Sequence, residues 1–378
     1  MWASVSKVGS IAFLHHDIFL RHRNPEIHPE NPERLAAIES AIAESDLASR
    51  IVRVSPRFAT LADLCGVHSS QYIERLESAA EMVKDKEDFV QLDADTFMSS
   101  SSYDSAKLAA GAGLTAVDSL KSGNFAVSFV AARPPGHHAR INRQMGFCII
   151  NNIALAARYA TQKLGYQRVA IIDWDVHHGN GTQEIFYRDS SVCFISFHQY
   201  PFWPYSTGWY TEDGEAEGKG YNINIPLPAG TGDRGHAYAW DQVVMPICLE
   251  YRPDLILLSA GYDAHLLDPL GQQQITTAGF AVLSQKLLEL SNLTDAKVVC
   301  FLEGGYNKRA LAESVVATLR VLSAETPSRL DEVHASYTAS GVQPMLKPIS
   351  PDHSPQMVDE QVDEVRRHFA QYWRSLRR

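Results

Sequence analysis

Five short runs in this chain are apolar at nearly consecutive positions: "NFAVSFVAARPPG", "RVAIIDWD", "SVCFISFHQ", "DLILLSAGYD" and "KVVCFLEGGY". A strand with one wet face alternates apolar and polar residues, so an unbroken apolar run suits a strand covered on both faces, as in a parallel sheet. Stretches with helical spacing lie between them. "NIALAARYATQKLG" closes on Gly165 as a C′ glycine. "AYAWDQVVMPICLEYRPD" and "TTAGFAVLSQKLLELSN" each precede a strand, the second with Thr276 or Thr277 as its cap. This alternation predicts an α/β fold: a single open, mostly parallel β-sheet flanked by helices on both faces.

The tail "SPQMVDEQVDEVRRHFAQYWRSLRR" repeats apolar residues at helical spacing through Val358, Val362, Val365, Phe369, Tyr372 and Leu376. It predicts a terminal amphipathic helix, with Ser354 as cap and Pro355 in the first turn. Its apolar face should dock on its own domain in preference to a second subunit, although an oligomer stays open. The preceding "ETPSRLDEVHASYTASGVQPMLKPISPDHSP" is rich in Ser and Pro and reads as a surface excursion. Residues 1–378 therefore read as a single domain. Its motif-bearing core covers about 10–320, and 321–378 form the C-terminal excursion and terminal helix.

Composition narrows the function classes. No apolar run approaches the roughly 20 residues that span a bilayer. The opening "MWASVSKVGSIAFLHHD" lacks the marks of a secretory signal, so a cytoplasmic protein with no membrane partner is expected. The five cysteines form no CxxC pair and read as reduced thiols. The net charge of −10, without a basic block, argues against direct nucleic-acid binding. An acidic surface serves solubility and also suits cationic substrates such as lysine-rich tails or polyamines.

Ligands bind parallel sheets at the carboxyl ends of the strands. "RPPGHHA" puts His137 and His138 past one strand, and "DWDVHH" ends the next with Asp173, Asp175, His177 and His178. "AGYDAHLLDP" puts Asp263 past a third strand, and "LEGGYN" puts Glu303 and Tyr306 past a fourth. All four clusters should meet on one rim. Asp175, His177 and Asp263 together make a two-carboxylate, one-imidazole set that suits a divalent transition metal with open positions. Each residue alone could equally be a loop cap or turn residue. Tandem imidazoles beside a metal can divide the tasks of holding and moving a proton. Asp173 can orient His137, and Asn180 can orient His138 without adding charge, which should leave the two with different basicities. Tyr306, aimed by Gly304-Gly305, can donate a hydrogen bond to a developing oxyanion.

Taken together, "RPPGHHA", "MGFCIINN", "DWDVHHGNGTQ", "GYDAHLLDP" and "LEGGYN" resemble the zinc-dependent histone deacetylase superfamily. The likeness is greatest to class II enzymes and bacterial histone deacetylase-like amidohydrolases, and "HHDIFLRHRNPEIHPENPERL" matches the family's N-terminal loop. The resemblance implies the arginase/deacetylase fold, with about eight strands in the sheet. It implies Zn²⁺ at Asp175, His177 and Asp263, with Fe²⁺ as an alternative occupant. His138 becomes general base and then acid, His137 its electrostatic partner, and Tyr306 the oxyanion donor. It also implies K⁺ beside the zinc, at the Asp173 and Ser196 side chains and the carbonyls of Asp175, His177 and Phe197. Phe186, Asp189, Val192 and Tyr221 match a second K⁺ site. The substrate tunnel falls to Phe147 and to Trp203 or, next in register, Phe202, with Gly146 and Gly304 beside them. Leu270 stands where polyamine-selective relatives carry an acidic gatekeeper. An apolar residue there leaves a second ammonium without a partner.

The activity implied is hydrolysis of the amide of an N-ε-acyl-lysine peptide or a similar small acylated amine. Three other readings are weighed against it. One is a small-molecule amidohydrolase acting on acetylpolyamines or xenobiotic amides. Another is a non-catalytic acyl-lysine-binding module. The last is an arginase-like binuclear hydrolase, for which Trp174 and Val176 supply no further ligands.

Overall fold

The structure, a computed structural model, describes residues 9–324 and 355–377. Its strands in chain order are β1 (Ile11–Leu14), β2 (Ile51–Arg53), β3 (Val90–Gln91), β4 (Phe97–Met98), β5 (Val127–Val130), β6 (Val169–Asp173), β7 (Val192–Gln199), β8 (Asn222–Leu227), β9 (Leu255–Ala260) and β10 (Lys297–Leu302). Eight of them make one sheet in the order β2-β1-β5-β10-β9-β6-β7-β8, while β3 and β4 pair separately. Every pairing in the large sheet is parallel. The expected α/β architecture is therefore present.

The five apolar runs all became strands, and their residues are almost wholly buried, as two-sided coverage requires. Two groups of helices cover the sheet. Ser102–Lys121 packs with Asn152–Lys163, while Lys308–Leu322 packs with both Glu33–Glu44 and Thr277–Thr294. Thr276 caps the last of these, its hydroxyl accepting the Gly279 N–H. Gly165 follows the helix Asn152–Lys163 at φ +73°.

Three strands of the large sheet escaped the hydrophobic pattern, as did the short β3–β4 pair. β8, "NINIPL", alternates Asn with Ile and contains Pro226, which reads as a turn. Its asparagines are nonetheless buried, because Asn222 and Asn224 both donate to Gln183 Oε1 at 2.8 Å. β1 and β2 are only four and three residues long.

Two helices depart from expectation. The stretch around "AYAWDQVVMPICLEY" is interrupted by a π-turn at Trp240–Val244, between helices Asp233–Ala239 and Met245–Tyr251. Pro246 lacks an N–H and its ring crowds the preceding turn, which the wider turn relieves. The terminal helix runs over Pro355–Phe369 and stops there, followed by a short 3-10 turn at Arg374–Leu376. Val358, Val362, Val365, Phe369 and Leu376 are buried and Tyr372 is half-buried. The helix lies against β8 and so covers an edge of the sheet. The Ser- and Pro-rich excursion and the Ser354 cap lie outside the described residues. Among the described residues no helix is long and apolar enough to cross a membrane.

Candidate active site

Strands β5, β10, β9 and β6 are consecutive neighbours at the centre of the sheet. Being parallel, they end on one side, so four loops distant in sequence share one rim. Asp173 is the last residue of β6, while Glu303 follows β10 directly. His137 and Asp263 lie a few residues beyond the ends of β5 and β9.

Asp175, His177 and Asp263 come together with ligand-type atoms within 4.8 Å of one another. Both carboxylates are buried, and each is pinned by a main-chain donor. Gly304 N–H donates to Asp175 Oδ2 at 2.9 Å, and Val176 N–H donates to Asp263 Oδ1 at 2.9 Å. The other oxygen of each then faces the same ring nitrogen: His177 Nδ1 is 3.1 Å from Asp175 Oδ1 and 3.1 Å from Asp263 Oδ2. A Cβ on Gly304 would sit 2.0 Å from Asp263 Oδ2, so only glycine lets the chain close over the carboxylates here.

The electrostatics fit a cation at this point. Burial would lower the His177 pKa, yet its hydrogen bonds to Asp175 and Asp263 carry it up to about 10. Burial and the charge of Asp175 push Asp263 up to about 7. A proton is thus held where three donors converge. A divalent ion replacing it would balance both carboxylates and keep further positions open. His178, next in sequence, turns the other way, against His198 at a ring separation of 4.6 Å. Trp174 packs in the core on Tyr262 and Phe280, so its side chain adds no ligand atom at the strand end.

His137 and His138 sit side by side, ring centroids 3.9 Å apart, in opposite environments. His137 Nδ1 is 3.0 Å from Asp173 Oδ2, and His138 Nδ1 is 2.8 Å from Asn180 Oδ1. Burial opposes charge on His137, but Asp173, Asp175 and Glu303 outweigh it and raise its pKa to about 10. Burial, reinforced by the charges of His137 and His177, holds His138 well below the usual imidazole range. One ring is charged and its neighbour is neutral.

A cavity of about 240 Å³ opens onto these groups, lined by His138, His177, Gly146, Phe147, Phe202, Trp203, Leu270 and Tyr306, together with Asp95 and Tyr205. Phe202 stacks on His177 at 5.3 Å, Trp203 stands edge-on to His138 at 4.7 Å, and Phe147 stands edge-on to Tyr306 at 5.8 Å. Both aromatics of "FW" therefore line the space. Gly146 (φ +55°) and Phe147 (φ +67°) are successive left-handed residues. A Cβ on Gly146 would meet Trp203 at 2.5 Å and His138 at 2.6 Å. The strain at Phe147 is held by its N–H donating to Thr96 Oγ1 at 3.1 Å.

Of the residues matched to potassium only His177 is in the cavity lining. Ser196 is paired with Asp173 across β6 and β7, and its hydroxyl is 2.9 Å from His198 Nδ1, with Phe197 buried next to it. At the second position Asp189 N–H donates to Phe186 O at 3.0 Å, Tyr221 O accepts the Phe194 N–H, and Val192 begins β7. The Asp189 carboxylate accepts from Arg158 at 2.6 Å and from Ser191.

Sequence reasoning gave no place to Asp95, Tyr205, Asp268, Glu30 or Arg34. Asp268 accepts the N–H groups of Tyr306 (2.6 Å), Asn307 (3.0 Å) and Leu270 (3.0 Å), tying the tyrosine to the tunnel wall. Arg34, in the first turn of the helix Glu33–Glu44, donates to the carbonyls of Glu303 (2.5 Å) and Gly305 (2.7 Å), and its guanidinium lies 4.9 Å from the Tyr306 ring centroid. Closely spaced acids in "LDADT" and "LLDP" were the available signal, and turn residues of that kind are common without function.

The chain as a whole is similar to known proteins. Residues 28–322 match the Histone deacetylase domain family. "Histone deacetylase 10, chloroplastic" of Oryza sativa subsp. japonica is 41% identical over 315 residues, covering 80% of this chain and 71% of the rice protein. A "Probable deacetylase" of Archaeoglobus fulgidus is 34% identical over 366 residues, covering 96% of this chain and 98% of its own. Among solved structures, the crystal structure of the HDA15 HD domain matches with a TM-score of 0.84 at 34% identity, covering 97% of both chains.

Proposed function

The chain belongs to the histone deacetylase family and is a hydrolase, and on that premise we propose that it is a zinc-dependent deacylase of N-ε-acyl-lysine. Asp175, His177 and Asp263 would hold the metal. Zn²⁺ bound there supplies Lewis acidity toward water and the acyl carbonyl. His138 handles the moving proton. Its Nδ1–H is given to Asn180 Oδ1, which leaves the Nε2 lone pair free to take a proton from the attacking water. The same atom returns the proton to the departing amine, so a free lysine and a carboxylate leave. His137 stays charged against Asp173 and stabilises negative charge gathering at the carbonyl. The Tyr306 hydroxyl, kept protonated because burial pushes its pKa well above the phenol range, donates to that oxygen.

The observation that carries the reading is the shared cavity. A neutral imidazole, the three-donor set and a phenol meet at the end of a space walled by Phe147, Phe202 and Trp203. Flat apolar walls accept an unbranched alkyl-amine stem and present its amide to those groups. Half-buried Leu270 on the same wall supports acyl-lysine over acetylpolyamines, because it offers a second ammonium no counter-charge. K⁺ at the Asp173/Ser196 and Asp189 positions belongs to this proposal, with the Asp173–Ser196 strand pairing as its support.

The test is kcat/KM for an acetyl-lysine peptide against acetylputrescine, on protein whose zinc, iron and potassium contents are measured. The peptide should be preferred. A preference for the polyamine moves the chain to the small-molecule reading, and a metal-loaded protein without turnover on either supports a binding module.

A further inference from the structure

Glu303 is the buried acid the mechanism leaves unused. It follows β10 directly and is 0% exposed. Its Oε2 accepts two successive main-chain donors of another loop, Gly136 N–H at 2.7 Å and His137 N–H at 3.2 Å. Its Oε1 faces Ser259 Oγ at 3.3 Å. A buried carboxylate without partners costs several kcal/mol, so these N–H groups account for its presence here.

The bonds join two particular loops. One carries His137 and His138, the other Tyr306 three residues beyond Glu303. A second set of contacts closes the same joint from the far side. Arg133, four residues before His137, pairs with Glu30 at 2.7 Å, Glu30 pairs with Arg34 at 3.2 Å, and Arg34 donates back to the carbonyls of Glu303 and Gly305. All four charged side chains in this ring of contacts are 0% exposed. Glu303 is the member that binds the histidine loop directly.

Another role for Glu303 is disfavoured by its neighbour. His137, Cys148 and Glu303 have ligand-type atoms within 4.8 Å of one another, which could suggest a second metal. Burial pushes the Cys148 thiol well above its usual range, so it stays protonated and supplies no thiolate. The two shortest hydrogen bonds of the Glu303 carboxylate among the described residues are instead to main-chain N–H groups.

Resting on the deacylase reading, we propose that Glu303 is a positioning residue for the reaction: it fixes the His137–His138 main chain against the strand end that carries Tyr306. Proton acceptor and oxyanion donor lie on different loops, and displacing one by about 1 Å can lower turnover on the order of 10²-fold. Among the described residues, neither loop has another direct tie of this kind to the other at residues 136–137.

The decisive variant is Glu303→Gln, which keeps the shape and exchanges one carboxylate oxygen for an amide NH2 that cannot accept a hydrogen bond. On protein with full zinc, kcat for an acetyl-lysine peptide should fall about 10- to 100-fold, as outer partners of catalytic groups generally show, with KM and zinc content unchanged. A kcat within twofold of the parent overturns the proposal. So does a parallel loss of kcat, zinc and thermal stability, which describes a merely structural residue. Ser259→Ala, which trims only the weaker Oε1 contact, should lose less than threefold, and a loss equal to that of Glu303→Gln counts against the assignment. A crystal structure of Glu303→Gln should show residues 136–138 displaced with Asp175, His177 and Asp263 in place. An unmoved loop overturns the positioning role even if the parent hydrolyses no acyl amide, an outcome that would separately remove the deacylase reading.

Discussion

The floor of the cavity and its mouth are held by different means. At the floor, Asp173, Asp175, Asp263 and Glu303 are buried acids from three neighbouring strand ends, and each accepts at least one main-chain N–H. The sheet sets their spacing, because β6, β9 and β10 are hydrogen-bonded neighbours. At the mouth, Phe202, Tyr205 and Leu270 come from loops and are half-buried or exposed; Phe202 is aimed by stacking on His177, and the Leu270 main chain is held by Asp268. On the proposed function, chemistry that tolerates little displacement is mounted on the sheet, and the contacts that would choose a substrate are mounted on loops. If this division is real, substitutions at the floor should change rate and metal content steeply, and those at the mouth should change preference mildly.

The steepest break is Asp263→Asn. It keeps an oxygen for the Val176 N–H but removes one of the two anionic donors facing His177 Nδ1. Zinc content should drop, and kcat/KM should fall by about 10³-fold or more, since a Lewis-acidic ion contributes several kcal/mol. Metal analysis showing full zinc would remove Asp263 from the ligand set. His138→Ala should lower kcat by about 10²- to 10⁴-fold with zinc retained, the range for a positioned proton carrier. Unaltered turnover would exclude it from the proton path. Tyr306→Phe should follow at about 10²- to 10³-fold in kcat, the loss seen for one oxyanion donor. If that variant matches the parent, the hydroxyl does not touch the developing charge.

How much of this was legible depended on the same division. Floor residues announce themselves, because Asp, His and Glu directly after an apolar run have few reasons to be there. The order β5-β10-β9-β6 was not readable residue by residue, yet any parallel sheet brings strand ends to one side. The mouth was harder. Which of Phe202 and Trp203 faces the cavity depends on loop backbone, and in fact both do. The left-handed pair Gly146-Phe147 is invisible in composition, since Phe rarely adopts φ > 0. The strand "NINIPL" was missed because its asparagines are satisfied by Gln183, a partner 39 and 41 residues away in sequence.

A pH profile sharpens the comparison within the floor. In its proposed role as base, His138 acts only when neutral. Burial first, then the charges of His137 and His177, depress its pKa well below 6.5, so the acid limb of kcat/KM should lie below that value. Asn180→Asp sets a carboxylate at Nδ1, favours the charged ring and raises that pKa. The acid limb then moves to higher pH, and the variant loses more activity relative to the parent at pH 6 than at pH 8. Superimposable limbs would mean that His138 is not the group titrating.

The mildest effect belongs to the mouth. Leu270 is half-buried on the cavity wall, its main chain fixed by Asp268 at 3.0 Å, so a longer side chain there can reach toward solvent without moving the floor. Leu270→Glu offers the free ammonium of acetylputrescine a partner. A partly exposed ion pair contributes at most about 1 kcal/mol, so kcat/KM for the polyamine should rise roughly fivefold. Activity on an acetyl-lysine peptide should change by less, because its stem carries no second charge at that depth. Since the floor is untouched, zinc content and the position of the acid limb should stay as in the parent. A change in either would mean that the mouth and floor are coupled more tightly than their separate supports imply.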